Sequence, residues 1–158
     1  MIELRYIPIL LSILWSIETL GLAVASETTD ANEFYGEFRS LVLENKRELV
    51  VDLFKYPLSD EIKSKDDLRR LYDDVFNEHL LSLIECTSGE NISQVGWRGH
   101  MLLNGVLWID GVYLGDIHPD KESPSYFEEI DAQLDDEEHW YMRVYGVNQG
   151  IGECPKSS

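Results

Sequence analysis

The run from Leu68 to Ile84 constrains this chain more than any other stretch. Leu68, Leu71, Tyr72, Val75, Phe76, Leu80, Leu83 and Ile84 recur at i, i+3 and i+4, the spacing of one helix face. Arg69, Arg70, Asp73, Asp74, Asn77 and Glu78 fill the other face. Ser64 stands at the capping position, with Asp66 and Asp67 near the positive helix end. The spacing predicts one long helix from Ser64 to a break at Thr87-Ser88-Gly89-Glu90-Asn91. An apolar stripe of that length must pack on something broad, and a curved sheet is its natural partner.

The rest of the chain supplies that partner. Either Thr29 or Asp30 caps a first helix, in which Phe34, Phe38, Leu41 and Val42 repeat at helical spacing up to about Asn45. Lys46–Phe54 reads as a second, short helix. Tyr56-Pro57 stops it, because proline disfavours helix in the residue before it. Beyond Ile92 the pattern turns to strands. Ser93–Trp97 is a short one, and His100–Leu103 and Val106–Ile109 flank Asn104-Gly105, a type I′ hairpin signal. Asp110-Gly111 offers a second tight turn into Val112–Ile117. Phe127–Glu138 reads as acidic and irregular, and His139–Val147 as a last strand. Helices first and an antiparallel meander after them define an α+β fold, with N-terminal helices packed on a curved antiparallel sheet.

The N-terminus has the layout of a secretory signal. Arg5 precedes an apolar run from Ile7 to Ile17, and Ala23-Val24-Ala25 has the small-x-small form of a cleavage site. Residues 1–25 therefore read as a signal peptide and 26–158 as a single domain. The apolar run falls short of the roughly 20 residues a membrane span needs, and Glu18 interrupts its extension. No stable membrane anchor is expected, and the expected location is secreted and periplasmic. Cys86 and Cys154 are the two cysteines, and in an oxidising compartment they suggest one disulfide. No CxxC and no ligand spacing for zinc is visible, so neither a metal nor a cofactor is expected.

Charge narrows the partners. The 158-residue chain carries a formal −17, and about −16 remains once residues 1–25 are removed. That field repels phosphate backbones and anionic membrane surfaces, which argues against nucleic acid. It steers in a basic partner, a protein or a small cation. Asp131, Asp135, Asp136, Glu137 and Glu138 form the densest acidic tract and are the expected partner-binding residues. The tract lacks the glycine turn and alternating oxygen ligands of a calcium loop. Asn91-Ile92-Ser93 matches the glycosylation acceptor pattern, which matters only in a host that glycosylates secreted proteins.

Several of these residues resemble a known superfamily. They are the Tyr56-Pro57 break, a helix of the form Leu-x-x-Leu-Tyr-Asp-x-x-Phe (Leu68, Leu71, Tyr72, Asp73, Phe76), and a Gly-x-x-Gly-x-Met-Leu-x-Asn-Gly-x-x-Trp hairpin from Gly96 to Trp108. The order is similar to that of small secreted bacterial proteins of the nuclear-transport-factor-2-like, cystatin-like α+β superfamily, over roughly Glu33 to Ile117. The resemblance implies a cone in which helices and a curved sheet enclose a pocket. It also implies that homodimers are common. Isomerases, dehydratases, polyketide cyclases and non-catalytic binding domains share this fold, so fold alone does not decide function.

Candidate catalytic residues are few. If the strand through Gly96–Leu103 alternates regularly, Arg98 and His100 share one face and Trp97 takes the other; Gly96 and Gly99 offer the alternative of a bulge that breaks this alternation. Facing into a cone, Arg98 would hold a carboxylate and His100 would serve as acid or base. Tyr72 would act as an oxyanion donor of the ketosteroid-isomerase kind. No nucleophile elbow, metalloprotease helix, phosphate loop or dinucleotide fingerprint is present. The sequence therefore reads as a binding protein without catalysis, an inhibitor or immunity-type protein for a basic partner. The alternative is a small enzyme or ligand carrier with its site inside the cone.

Overall fold

Helix α1 (Ala31–Leu43) begins at Asp30, whose carboxylate accepts from the backbone N–H of Asn32 and of Glu33, each at 2.9 Å. Two of the N–H groups that a helix start leaves open are thereby satisfied. The structure is a computed structural model that describes residues 28–156, so the signal-peptide reading of residues 1–25 lies outside the described residues. Among these, no helix is long and apolar enough to cross a membrane. Ala31, Phe34, Tyr35, Phe38 and Val42 form the buried face of α1. Asn45, at φ 55°, reverses the chain into α2 (Arg47–Asp52).

The single long helix expected from the Leu68–Ile84 stripe is not formed. Three short helices replace it: α3 (Lys65–Arg70), α4 (Tyr72–Val75) and α5 (Glu78–Glu85). Leu71 departs from helix geometry at φ −101° and ψ 14°. Asn77 is extended, and its side chain accepts from Leu80 N–H at 3.0 Å, so it caps a fresh helix instead of continuing the old one. Asparagine favours caps because its amide competes with the helical ladder. The stripe survives these breaks, since Leu68, Tyr72, Val75, Phe76, Leu80, Leu83 and Ile84 are all buried. Arg39 of α1 closes the far end of α5, donating to the carbonyls of Ile84 and Glu85 at 3.0 and 2.8 Å.

Four strands follow, β1 (Ile92–Gln94), β2 (His100–Leu102), β3 (Leu107–Tyr113) and β4 (Trp140–Val147), paired antiparallel in that order. Strand β1 is three residues long and lies between two 3-10 turns, Gly89–Asn91 and Gly96–Arg98. At the other border the chain leaving α2 runs beside β4. Lys55 N–H donates to the Val144 carbonyl at 2.8 Å, and Val144 N–H to the Leu53 carbonyl at 2.9 Å.

Three expectations for this half are corrected. The β2–β3 turn is wider than two residues: Leu103, Asn104 and Gly105 all have positive φ, and the Leu102 carbonyl accepts from both Gly105 and Val106. Asp110-Gly111 is not a turn but the middle of β3, paired with Arg143 and Met142. Turn chemistry is overridden there because β4, distant in sequence, supplies a full ladder. Phe127–Glu138 is not irregular either; its first part is a helix, α6 (Tyr126–Asp135).

The helices and the sheet meet in one core. Phe38 sits at its centre, with ring contacts to Phe34, Tyr35, Phe54 and Phe76 at 5.9 to 6.4 Å. From the sheet, Leu102, Leu107, Ile109 and Val144 reach the same cluster, all fully buried. The space between the layers is therefore occupied by aromatic and aliphatic side chains. Cys86, just past α5, is disulfide-bonded to Cys154 with 5.8 Å between their Cα atoms, tying a helix end to the C-terminal segment as expected. The fold is α+β with a four-stranded antiparallel sheet.

Candidate functional site

The hairpin stretch does not gather Arg98 and His100. Gly96 and Gly99 have φ of 52° and 78°, a region that favours glycine, and the chain coils as a 3-10 turn before β2 begins. The strand alternation that would put Arg98 and His100 on one face is broken at that point. Arg98 is exposed, its guanidinium 5.3 Å from the centre of the Trp97 ring. Trp97 is itself 88% exposed, and the Tyr145 hydroxyl donates to the Arg98 carbonyl at 2.7 Å. His100 pairs with Ile109 on the core side of β2, and its Nδ1 is buried with no hydrogen-bond partner.

Tyr72 lies elsewhere, in the helical layer. Its ring is stacked on Phe76 at 4.4 Å and covered by the Arg47 guanidinium at 4.7 Å. Asp73 grips that guanidinium through both carboxylate oxygens, at 3.1 and 2.5 Å, and Asn45 Oδ1 accepts from its Nε at 3.0 Å. The Tyr72 hydroxyl is buried and has no hydrogen-bond partner among the described residues, and burial pushes its pKa up to about 12. It therefore stays protonated near neutral pH as a hydrogen-bond donor. Tyr72, Arg47, Asp73 and Phe76 join Leu43, Leu81 and Glu85 in lining a surface groove of about 480 Å³. Tyr72, Arg98 and His100 thus occupy three separate settings.

The acidic segment forms a site of a different kind. Between Leu114 and His139 the carboxylates are Asp116, Asp120, Glu122, Glu128, Glu129, Asp131, Asp135, Asp136, Glu137 and Glu138, and the only Lys or Arg is Lys121. None of α6 is buried. Hydrogen bonds hold it to the body instead. The Gln133 amide donates to the Ile117 carbonyl at 2.7 Å, Trp140 Nε1–H donates to the Gln133 carbonyl at 3.0 Å, and Glu129 accepts from Ser125 and from Asp120 N–H. These bonds leave the Glu129 carboxyl below its ordinary value, the Ser125 bond foremost.

Asp136 anchors the far end. One oxygen accepts from the Tyr113 hydroxyl at 2.6 Å and the other pairs with His139 Nδ1 at 2.7 Å. The Tyr113 bond, then the His139 bond, lowers the Asp136 pKa, while Asp136 raises that of His139. Asp136 is thus internally engaged, whereas Asp131, Asp135, Glu137 and Glu138 are exposed. Apart from the Asp136–His139 pair, the ion pairs among the described residues all lie in the helical half.

Two features here escaped sequence reasoning. The Tyr113–Asp136–His139 junction has no local signature, because Tyr113 comes from β3. Helix α6 did have one: Phe127, Ile130 and Leu134 fall at i, i+3 and i+7. Among the described residues no group of acidic, histidine and cysteine side chains is arranged to hold a metal ion. Compared with known proteins, the chain matches no family model, no curated protein and no solved structure.

Proposed function

We propose that this chain is a secreted binding protein without catalysis, whose acidic face around α6 holds a basic protein in the manner of an inhibitor or immunity-type protein. One observation carries the reading: Glu129 and Asp136 aside, the carboxylates of the Leu114–His139 segment are exposed, and among the described residues only Asp136 of them is in an ion pair. Uncompensated charge of one sign steers an oppositely charged partner and speeds its association. The filled core supports binding on the outside over chemistry on the inside. A disulfide supports an oxidising, periplasmic or extracellular location. Helices packed on an antiparallel sheet support placing the chain in the nuclear-transport-factor-2-like superfamily, as a member whose cone is filled.

The test is a comparison of two baits in a periplasmic or culture extract, eluted by a salt gradient. One is the oxidised protein; the other carries Asp131→Asn, Asp135→Asn, Glu137→Gln and Glu138→Gln. The expected result is a stoichiometric basic protein released from the first bait by moderate salt and missing from the second. Equal retention on both baits would remove the electrostatic basis of the reading.

A second reading, a ligand carrier or small enzyme, draws on the Tyr72 groove. An unpartnered buried hydroxyl beside a ligand-sized depression of about 480 Å³ is the feature that favours it.

A further inference from the structure

Helix α6 carries a pattern that charge alone does not describe. Phe127 and Leu134 stand seven residues apart on one face and are 76% and 58% exposed. The bonds that hold the helix leave from another side, through Glu129 and Gln133. At about 100° per residue, Asp131 and Asp135 lie about 40° and 80° round the helix from Phe127. The apolar stripe is therefore bordered on one side by carboxylates. At its C-terminal end Leu134, Glu137, Trp140 and Thr29 line a depression of about 390 Å³.

Exposed large apolar side chains gathered on one face mark an interaction surface, and the flanking charge selects what covers it. A second copy would set these carboxylates against their like, and an anionic membrane surface would be repelled by them. A helix with apolar residues at i, i+3 and i+7 and lysine or arginine beside them complements both the stripe and its border. We propose that the α6 face formed by Phe127, Leu134, Asp131 and Asp135 docks an amphipathic basic helix of the partner protein, with one apolar side chain of that helix seated in the Leu134–Trp140 depression. The inference rests on the acidic-binder reading and deepens it: the partner is selected by apolar spacing as well as by charge.

Two synthetic peptides of identical leucine and lysine content test it by calorimetric titration into the oxidised, secreted protein at low salt. One places its leucines on a helical face; the other is shuffled so that no face forms. The face-forming peptide is expected to bind about tenfold more tightly, since a modest part of the apolar area of two large side chains accounts for that factor. The Phe127→Ser/Leu134→Ser variant is expected to lose this advantage while binding the shuffled peptide as before. Its circular dichroism and melting temperature should not move, because both side chains are exposed. Equal affinity for the two peptides, unchanged by the double variant, would overturn the docking inference and leave the acidic-binder reading intact. Failure of both peptides to bind would overturn the two together.

Discussion

Asp136 divides its carboxylate between Tyr113 and His139, and titration of Asp136 and of His139 bounds the junction from the acid and the basic side. His139 is raised above its ordinary 6.5, so its contribution is complete below about that pH and fades as the pH climbs through the raised value. Asp136 is lowered below its ordinary 3.8, so its contribution is present above that pH and is lost as the pH falls through the lowered value. The junction is tightest between those limits. An NMR titration of the His139 ring should give a pKa above the ordinary value, falling back in Asp136→Asn. Identical titrations in both proteins would show that the pair does not form.

Gly99 is a second decisive residue. A Cβ there would meet the Ile109 carbonyl at 2.5 Å, in a backbone conformation that disfavours side chains. Gly99→Ala is expected to lower unfolding stability by about 2 kcal/mol in a denaturant titration. Gly96, at a similar φ but with open space around it, should suffer less. Residue types at these positions were legible, but their directions were not. Arg98 and His100 read as partners by alternation, and two positive-φ glycines undo that alternation without changing any apolar pattern.

The elements divide into those that bury and those that lean. Helices α1 and α5 each present several fully buried side chains, whereas α6 presents none. Local opening follows burial more closely than hydrogen-bond number. Hydrogen exchange should therefore be fast across Tyr126–Asp135 and slow across Phe34–Val42, and limited proteolysis should cut first near α6. Protection of α6 equal to that of α1 would contradict this order. Element types were largely readable: the helix-then-strand order, the β2–β3 hairpin and the last strand all follow from periodicity. The failures have opposite causes. Asn77 and Asp110-Gly111 carry strong local preferences, and what decided them was a cap in one case and a distant β4 ladder in the other. Helix α6 was hidden because its carboxylates, read as composition, masked the helical spacing of Phe127, Ile130 and Leu134.

For the molecule as a whole, one covalent tie spans the helical layer and the C-terminal segment. The bridge closes a loop of 68 residues, which on the chain-entropy estimate contributes about 4 kcal/mol. Cys86→Ser/Cys154→Ser should lower the denaturant midpoint accordingly and steepen the transition, because the denatured chain without its cross-link exposes more surface. The pairing was legible from two cysteines in a chain whose N-terminus reads as a secretory signal. The acidic imbalance, −17 over the chain, is a net repulsion that salt screens over about 10 Å at 0.1 M. The melting temperature is therefore expected to rise as salt increases from very low values, and a fall would mean that the ion pairs of the helical half dominate.

The short β1 strand, closed off by a 3-10 turn at each end, has a consequence for crowding. A sheet grows by adding strands to a free border, and that growth underlies strand exchange and fibre formation. Here one border offers three residues, and at the other Leu53–Lys55 bonds to Val144 in the middle of β4. Among the described residues this leaves only short stretches of open backbone on which a neighbouring chain could extend the sheet. The protein is therefore expected to resist polymerising through its strands as it is concentrated, which light scattering at rising concentration checks.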